Sequence, residues 1–254
     1  MTFNALVLAG SRGGTDPLAT YASVTDKALI RLDDTTMLER VVIALRAAGA
    51  GRIAVSANAQ AVRAEAERLG AEPLDAGAGP SISARIGLQA LGAPLLVTTA
   101  DHALLRPEWI TDFLTDAPAD ADVAALLARR DVIERDAPPT RRTYLRFADG
   151  AWSGCNLFLC RTARAEAAID LWMSVERDRK RPWRIVRRLG PGMLLRYLTG
   201  RLTLDAALAR LGALVGVRAV AVAARHGLAA VDVDKPADLD LVRGLLQPQP
   251  FQST

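Results

Sequence analysis

Residues 6–14 read LVLAGSRGG. An apolar run passes straight into a turn of small residues that carries one arginine, and Lys27 follows downstream. A short apolar run ended by glycine is the pattern of a buried strand. In open α/β sheets, ligands bind beyond the carboxyl ends of the strands, where loops lead into helices. The loop after this strand is therefore the first candidate site. Gly10, Ser11, Gly13 and Gly14 let backbone N–H groups approach an anion, and Arg12 can add a bidentate phosphate contact. A glycine-rich turn that merely caps a strand has the same letters. The spacing matches neither G-x-G-x-x-G nor G-x-x-x-x-G-K-[ST], which counts against dinucleotide oxidoreductases and P-loop NTPases.

Working outward, Asn4–Ala9 is the first strand. Thr36–Ala48 has apolar residues at Leu38, Val41, Val42 and Leu45, a helical spacing closed by Gly49. Arg52–Ala57 reads as strand, Ala61–Leu69 and Ser83–Leu91 as helices, Pro94–Thr99 as strand and Pro107–Leu114 as helix. This rhythm predicts βαβ units, a mainly parallel sheet and a single three-layer αβα domain. Ala128–Arg142, charged and holding Pro138 and Pro139, reads as a loop. Thr143–Phe147 and Gly154–Cys160 read as an antiparallel pair turning at Asp149–Gly150, and Arg161–Val175 as a helix. Short helices broken at Pro182 and Gly190–Pro191–Gly192 follow. Val217–Ala223 and Ala229–Val233 then return to strand, Pro236–Leu246 closes as a helix, and 247–254 reads as a disordered tail.

At 254 residues, half of them hydrophobic, the chain can bury a full core. No segment approaches the roughly 20 apolar residues of a membrane span, and no leader peptide is read at the N-terminus. Cys155 and Cys160 lie five apart in one expected strand, which sends them to opposite faces and predicts free thiols. The expected compartment is the cytoplasm. Net charge is only +4, yet Ser174–Arg201 carries nine arginines and lysines against two acids. Such a lobe on a near-neutral body calls for an anionic partner.

The N-terminal stretch, with Arg12, Lys27 and the helix start Thr36–Met37–Leu38–Glu39, resembles the nucleotidyltransferase superfamily of the MobA-like NTP transferases and sugar-phosphate nucleotidylyltransferases. Ser11 stands for a usual glycine and Ala28 for a common proline. GPSISARIGLQAL resembles the S-V-x-x-G-L segment of the cytidylyltransferase branch, TTADHALLRPEWITDFL the G-D-x-P motif, VDVDKPADLDLV the V-D-T-P-E-D-L signature, and SGCNLFLC the acceptor-facing strand. The resemblance implies a Rossmann-like fold of the GT-A type with an inserted basic helical lobe. It implies one domain over 1–246: a nucleotide-binding half at 1–130, an acceptor-binding part at 131–212 and a closing βα unit at 213–246. Leu8, Ala9, Gly10, Ser11 and Gly13 would line the nucleotide, with Ser83 and Gly87 near base and ribose. Arg12 and Lys27 would grip phosphates, Asp101 and Asp234 would hold Mg²⁺, and Asn156, Arg141, Arg142 and Arg184 would meet the acceptor. Only one of Asp232 and Asp234 need face the site, with Asp232 the fallback ligand. Asp238 reads as first-turn helix charge.

The activity this implies is NMP transfer from an NTP, CTP or GTP, to a phosphorylated or acidic acceptor, a lipid-linked one included. In the basic segment, arginines alternate with Trp172, Trp183, Met193, Leu194, Leu195, Tyr197 and Leu198. That is the pattern of peripheral association with an anionic membrane through residues 177–201, at its inner face; a solvated helix face over a core carries the same letters. A glycosyltransferase of related fold would want D-x-D on an internal strand, which TTADHAL lacks. A non-catalytic nucleotide-binding module remains, whereas no nucleic-acid motif is present. His102 and His226 offer no zinc spacing; His102 is either a substrate contact or structural.

Overall fold

β1 (Phe3–Leu8) lies within the central sheet, and its alternation shows why. Ala5 and Val7 enter one apolar cluster and Leu6 the other, so the strand is buried on both faces. The computed structural model describes residues 1–10, 16–138, 142–177 and 190–247. Around β1 stand β4 (Ala50–Ser56), β5 (Glu72–Leu74), β6 (Leu95–Thr99), β7 (Val123–Arg129), β8 (Leu145–Phe147), β9 (Gly150–Cys160) and β10 (Ala219–Ala223). They form one eight-stranded sheet in the order β10-β7-β9-β6-β1-β4-β5, with β8 paired to β9. β1 is parallel to β4 and β6, and β7 to β10; β9 runs antiparallel between β6 and β7. A separate small hairpin pairs β2 (Arg31–Leu32) with β3 (Thr35–Thr36).

α2 (Met37–Ala47) begins where expected. The Thr36 hydroxyl accepts from the Glu39 N–H at 3.0 Å, and Met37, Leu38, Val41, Val42 and Leu45 are buried. α1 (Pro17–Tyr21), α3 (Gln60–Arg68), α5 (Pro107–Asp116) and, at the C-terminus, α10 (Pro236–Leu246) contribute buried residues to the same cluster as α2. α4 (Pro80–Leu91) and α7 (Ala165–Arg177) cover the other face, through Ala84, Leu88, Leu91, Ala165 and Ile169. Each leucine so buried contributes about 1.5–3 kcal/mol. Cys155 and Cys160 lie in different clusters and are free, and burial pushes both thiols up to about 12. Among the described residues, no helix is long and apolar enough to cross a membrane.

Two expectations about local structure are corrected. The first part of the expected loop Ala128–Arg142 is regular structure: β7 runs to Arg129 and α6 (Arg130–Asp136) follows at once, seated by the buried Ile133, while residues 139–141 lie outside the described residues. Ala229–Val233 is not a strand. The chain makes a 3-10 turn at Gly227–Ala230, where a Cβ on Gly227 would stand 2.3 Å from the Val132 carbonyl. Pressed against α6 in this way, it continues irregularly to α10 and leaves β10 at the sheet's edge. The basic segment does form helices at α8 (Pro191–Leu198) and α9 (Leu204–Ala213). Residues 178–189, with Pro182, Trp183 and Arg184, and the expected tail from 248 lie outside the described residues.

Candidate active site

Lys27 opens a single 3-10 turn, Lys27–Leu29, that the flanking residues pin in place. The buried Asp26 carboxylate accepts from the Ala28 N–H at 3.0 Å, and Ala28 and Ile30 are buried. Burial raises the Asp26 pKa, with that N–H bond opposing it. The Lys27 ammonium projects to the C-terminal end of β6. There it donates to Asp101 Oδ2 at 2.6 Å and to Asp234 Oδ1 at 3.0 Å. Burial works against its charge, but the Asp101 and Asp234 carboxylates outweigh this and raise its pKa.

Asp101 sits in the turn after β6, and its Oδ1 accepts from the Thr99 hydroxyl. Its carbonyl accepts from the Val233 N–H at 3.1 Å, and that bond brings the C-terminal segment to the site. Val233 is fully buried, while its neighbours Asp232 and Asp234 both lie near Asp101: Asp234 shares the Lys27 ammonium with it, and the Asp101 charge reaches Asp232. Asp234 meets Lys27, while Asp232 Oδ2 accepts from Asn156 Nδ2 at 3.3 Å and Oδ1 stands 3.7 Å from Arg142 Nη2. Asp238 accepts from the backbone N–H groups of Asp234 and Lys235, which fixes the start of α10.

Asn156 adopts a left-handed backbone, φ +50, inside β9. Four residue steps of β9, Gly154 to Phe158, face two steps of β7, Ala125 to Leu127, so the strand bulges there and turns the amide toward Asp232. Arg142 is nearly buried and donates to the Ala230 carbonyl. Burial, then the neighbouring Asp234 and Asp101, raise the Asp232 pKa, and Arg142 opposes them. A carboxyl whose folded pKa lies above its unfolded one weakens the fold as pH rises through that interval. Asp232→Asn is therefore expected to raise the melting temperature at pH 7 relative to wild type, with the gain vanishing near pH 3, which a pair of pH-dependent melts would check.

The remaining expected residues are placed as follows. Leu8 ends β1, Ala9 is buried and Gly10 is exposed, with its Cα facing Ala76. Ser11, Arg12 and Gly13, like Arg141 and Arg184, lie outside the described residues. Ser83 is buried and its hydroxyl accepts from the Gly77 N–H at 2.9 Å, holding the loop that abuts Gly10. Gly87 faces β1, where an added Cβ would stand 2.4 Å from Leu6 Cδ2. Close packing alone requires glycine there, so Gly87→Ala is expected to cost about 1–3 kcal/mol in chemical denaturation. His102 is buried and stacked on Trp109, and burial lowers its pKa to about 4. His226 stacks on the same tryptophan.

Thr99, Asp26 and the Asp232–Asn156 contact were missed from sequence. Asp26 had a readable signal, an acidic residue two before an amide it caps; the others depend on folding. Among the described residues, no three acidic, histidine or cysteine side chains form a metal site by themselves. The two oxygens converging on the Lys27 ammonium do fit a hard divalent cation, since they already face one positive charge and a nucleotide's phosphates would complete the shell.

This arrangement of a cation and two carboxylates at the end of β6, beside the end of β1, agrees with the family to which the sequence is similar. Residues 5–182 match the MobA-like NTP transferase domain. The chain belongs to this family. It is a nucleotidyltransferase. A hypothetical transferase from Thermus thermophilus is 30% identical, covers 94% of this chain and 100% of its own, and superposes with a TM-score of 0.81. CMP:2-keto-3-deoxy-manno-octonic acid synthetase complexed with CTP is 16% identical over 97% of this chain and 98% of its own, TM-score 0.58. 4-Diphosphocytidyl-2C-methyl-D-erythritol synthase is 15% identical over 97% and 98%, TM-score 0.59. At that identity these two share the fold with the present chain. No curated protein sequence matches it.

Proposed function

We propose that the protein transfers the NMP group of an NTP, CTP or GTP, to a phosphorylated or acidic acceptor and releases pyrophosphate, with Mg²⁺ held by Asp101 and Asp234. The observation that carries this reading is the meeting of Lys27, Asp101 and Asp234 at the end of β6, next to the C-terminal end of β1. Nucleotidyltransferases of this kind generally use a divalent metal, which when bound neutralises phosphate charge during transfer. Transfer joins an acceptor oxygen to the α-phosphorus while the bond to the bridging oxygen breaks and pyrophosphate leaves. An ionised phosphate or carboxylate acceptor needs no base, so the protein's task is to hold two polyanions in line.

In this reading, Lys27 leaves its carboxylates for the α-phosphate. Arg12 and the N–H groups of Gly10, Ser11 and Gly13, carried on Leu8 and Ala9, take the rest of the triphosphate. Ser83 and Gly87 shape the base and ribose side. Asn156 and Arg142, tied to Asp232, face the acceptor, with Arg141 and Arg184 supplying further charge from the basic segment. An acceptor on a lipid carrier falls within this chemistry. The test is pyrophosphate release with each of the four NTPs and Mg²⁺ against pooled sugar phosphates, phospho-acids and lipid phosphates. Release is expected with CTP or GTP and one acceptor class. Silence together with no Mg²⁺-dependent NTP binding would overturn the reading.

A further inference from the structure

α8, PGMLLRYL, stands off the body of the protein. Gly190 (φ +89) precedes it and Gly200 (φ +66) follows it, both in backbone that favours glycine. None of its side chains is buried: Leu194 is 36% exposed, Leu195 63%, Tyr197 53% and Leu198 72%. Leu194, Leu195 and Leu198 fall on one side of the helix, exposed Arg196 falls on the other, and exposed Arg201 lies just past the helix end. Leaving this many leucines in water is costly for an isolated chain, and a contiguous apolar patch of this kind marks an interaction surface.

Its attachment tells where it points. Leu202 is buried, and its carbonyl accepts from the Ala148 N–H at 2.8 Å, at the turn of the β8–β9 hairpin. The Asp149 carboxylate accepts from the Leu204 N–H, fixing the start of α9 to the same turn. β9 passes Asn156 beside the end of β6 and runs six residues further to Gly150, about 20 Å at strand rise. The hairpin therefore projects from the edge of the sheet that carries Lys27 and Asp101, and α8 sits at its tip.

We infer that α8 docks the protein on an anionic lipid bilayer, its leucines entering the interface and its arginines meeting lipid phosphates, with the active-site edge toward the membrane. The charge selects this occupant. A short apolar helix alone would fit a protein groove equally, but it belongs to a stretch with nine basic residues against two acids on a chain of net charge only +4. Docking of this kind is independent of the nucleotide chemistry and can be tested apart from it.

The experiment is co-sedimentation of the full chain with vesicles of phosphatidylcholine containing 30% phosphatidylglycerol, and with pure phosphatidylcholine vesicles, at low and high salt. Binding is expected only to the anionic vesicles and to weaken at high salt. Leu195→Asp with Leu198→Asp, and separately Arg196→Glu with Arg201→Glu, are each expected to lower the bound fraction more than tenfold. Melting temperature and pyrophosphate release with a soluble acceptor should stay unchanged, since these side chains are exposed and none bonds to Lys27, Asp101, Asp232 or Asp234. Wild-type binding that is absent, equal on neutral vesicles, or undiminished in the leucine variant would overturn the inference. So would a concentration-dependent dimer that the leucine variant abolishes while vesicle binding persists.

Discussion

Asp101→Asn is expected to slow pyrophosphate release by about a hundredfold or more, the usual consequence of removing one group that stabilises charge in transfer. The substitution is nearly isosteric. Its side-chain oxygen can still accept from the Thr99 hydroxyl, and its backbone carbonyl still accepts from Val233, so the turn after β6 and the C-terminal segment stay joined. What disappears is the negative charge 2.6 Å from Lys27 Nζ, on the oxygen proposed to hold the metal. Asp234→Asn should fall in the same range, because its Oδ1 faces the same ammonium at 3.0 Å. Asp232→Asn should fall short of both, because its carboxylate is engaged by Asn156 and Arg142 instead. Steady-state pyrophosphate release with melting temperatures measured alongside separates these cases. An Asp101→Asn protein that melts normally and keeps its rate within threefold would remove Asp101 from the metal assignment.

The fold was legible where local pattern and tertiary burial agree. LVLAG, the helix face of Leu38, Val41, Val42 and Leu45, and Pro236–Leu246 all sit where their letters place them. It was illegible where they conflict. VAALLAR is poor in β-branched residues, yet it is a central strand because β9 and β10 pair with it on both sides. RDVIERD looks like a charged loop, and only Ile133 at its buried face makes it a helix. Ala229–Val233 has strand letters but is diverted by the close approach of Gly227 to α6. At the site, resemblance named Lys27, Asp101 and Asp234 separately. No spacing could foretell that one ammonium bridges two carboxylates 133 residues apart, since that follows from the Val233–Asp101 backbone bond. The same holds for Asn156, whose bulge depends on β7.

That bridge carries the last prediction. Lys27→Met should lower stability at neutral pH by about 1–2 kcal/mol and nearly abolish activity. Breaking a fully buried ion pair costs about 3–5 kcal/mol because a charge is left unpaired. Here the Lys27 side chain is 28% exposed, and Asp101 and Asp234 are 12% and 57% exposed, so solvent screens part of that loss. The sign with pH follows from the raised Lys27 pKa. A cation whose folded pKa exceeds its unfolded value, about 10.4, gives its full contribution below that value and loses it as pH rises through the folded one. The deficit of the variant should therefore be level between about pH 6 and 9 and shrink only in strong alkali. Mg²⁺ supplies the second half of the test. In the wild type the ammonium already lies between the two oxygens and an ion must displace it, whereas in Lys27→Met the carboxylates repel each other until a cation arrives. Millimolar Mg²⁺ without nucleotide should thus raise the variant's melting temperature more than that of the wild type. Equal shifts in the two proteins would mean that the ion binds elsewhere, and that Lys27 does not hold the place of the metal.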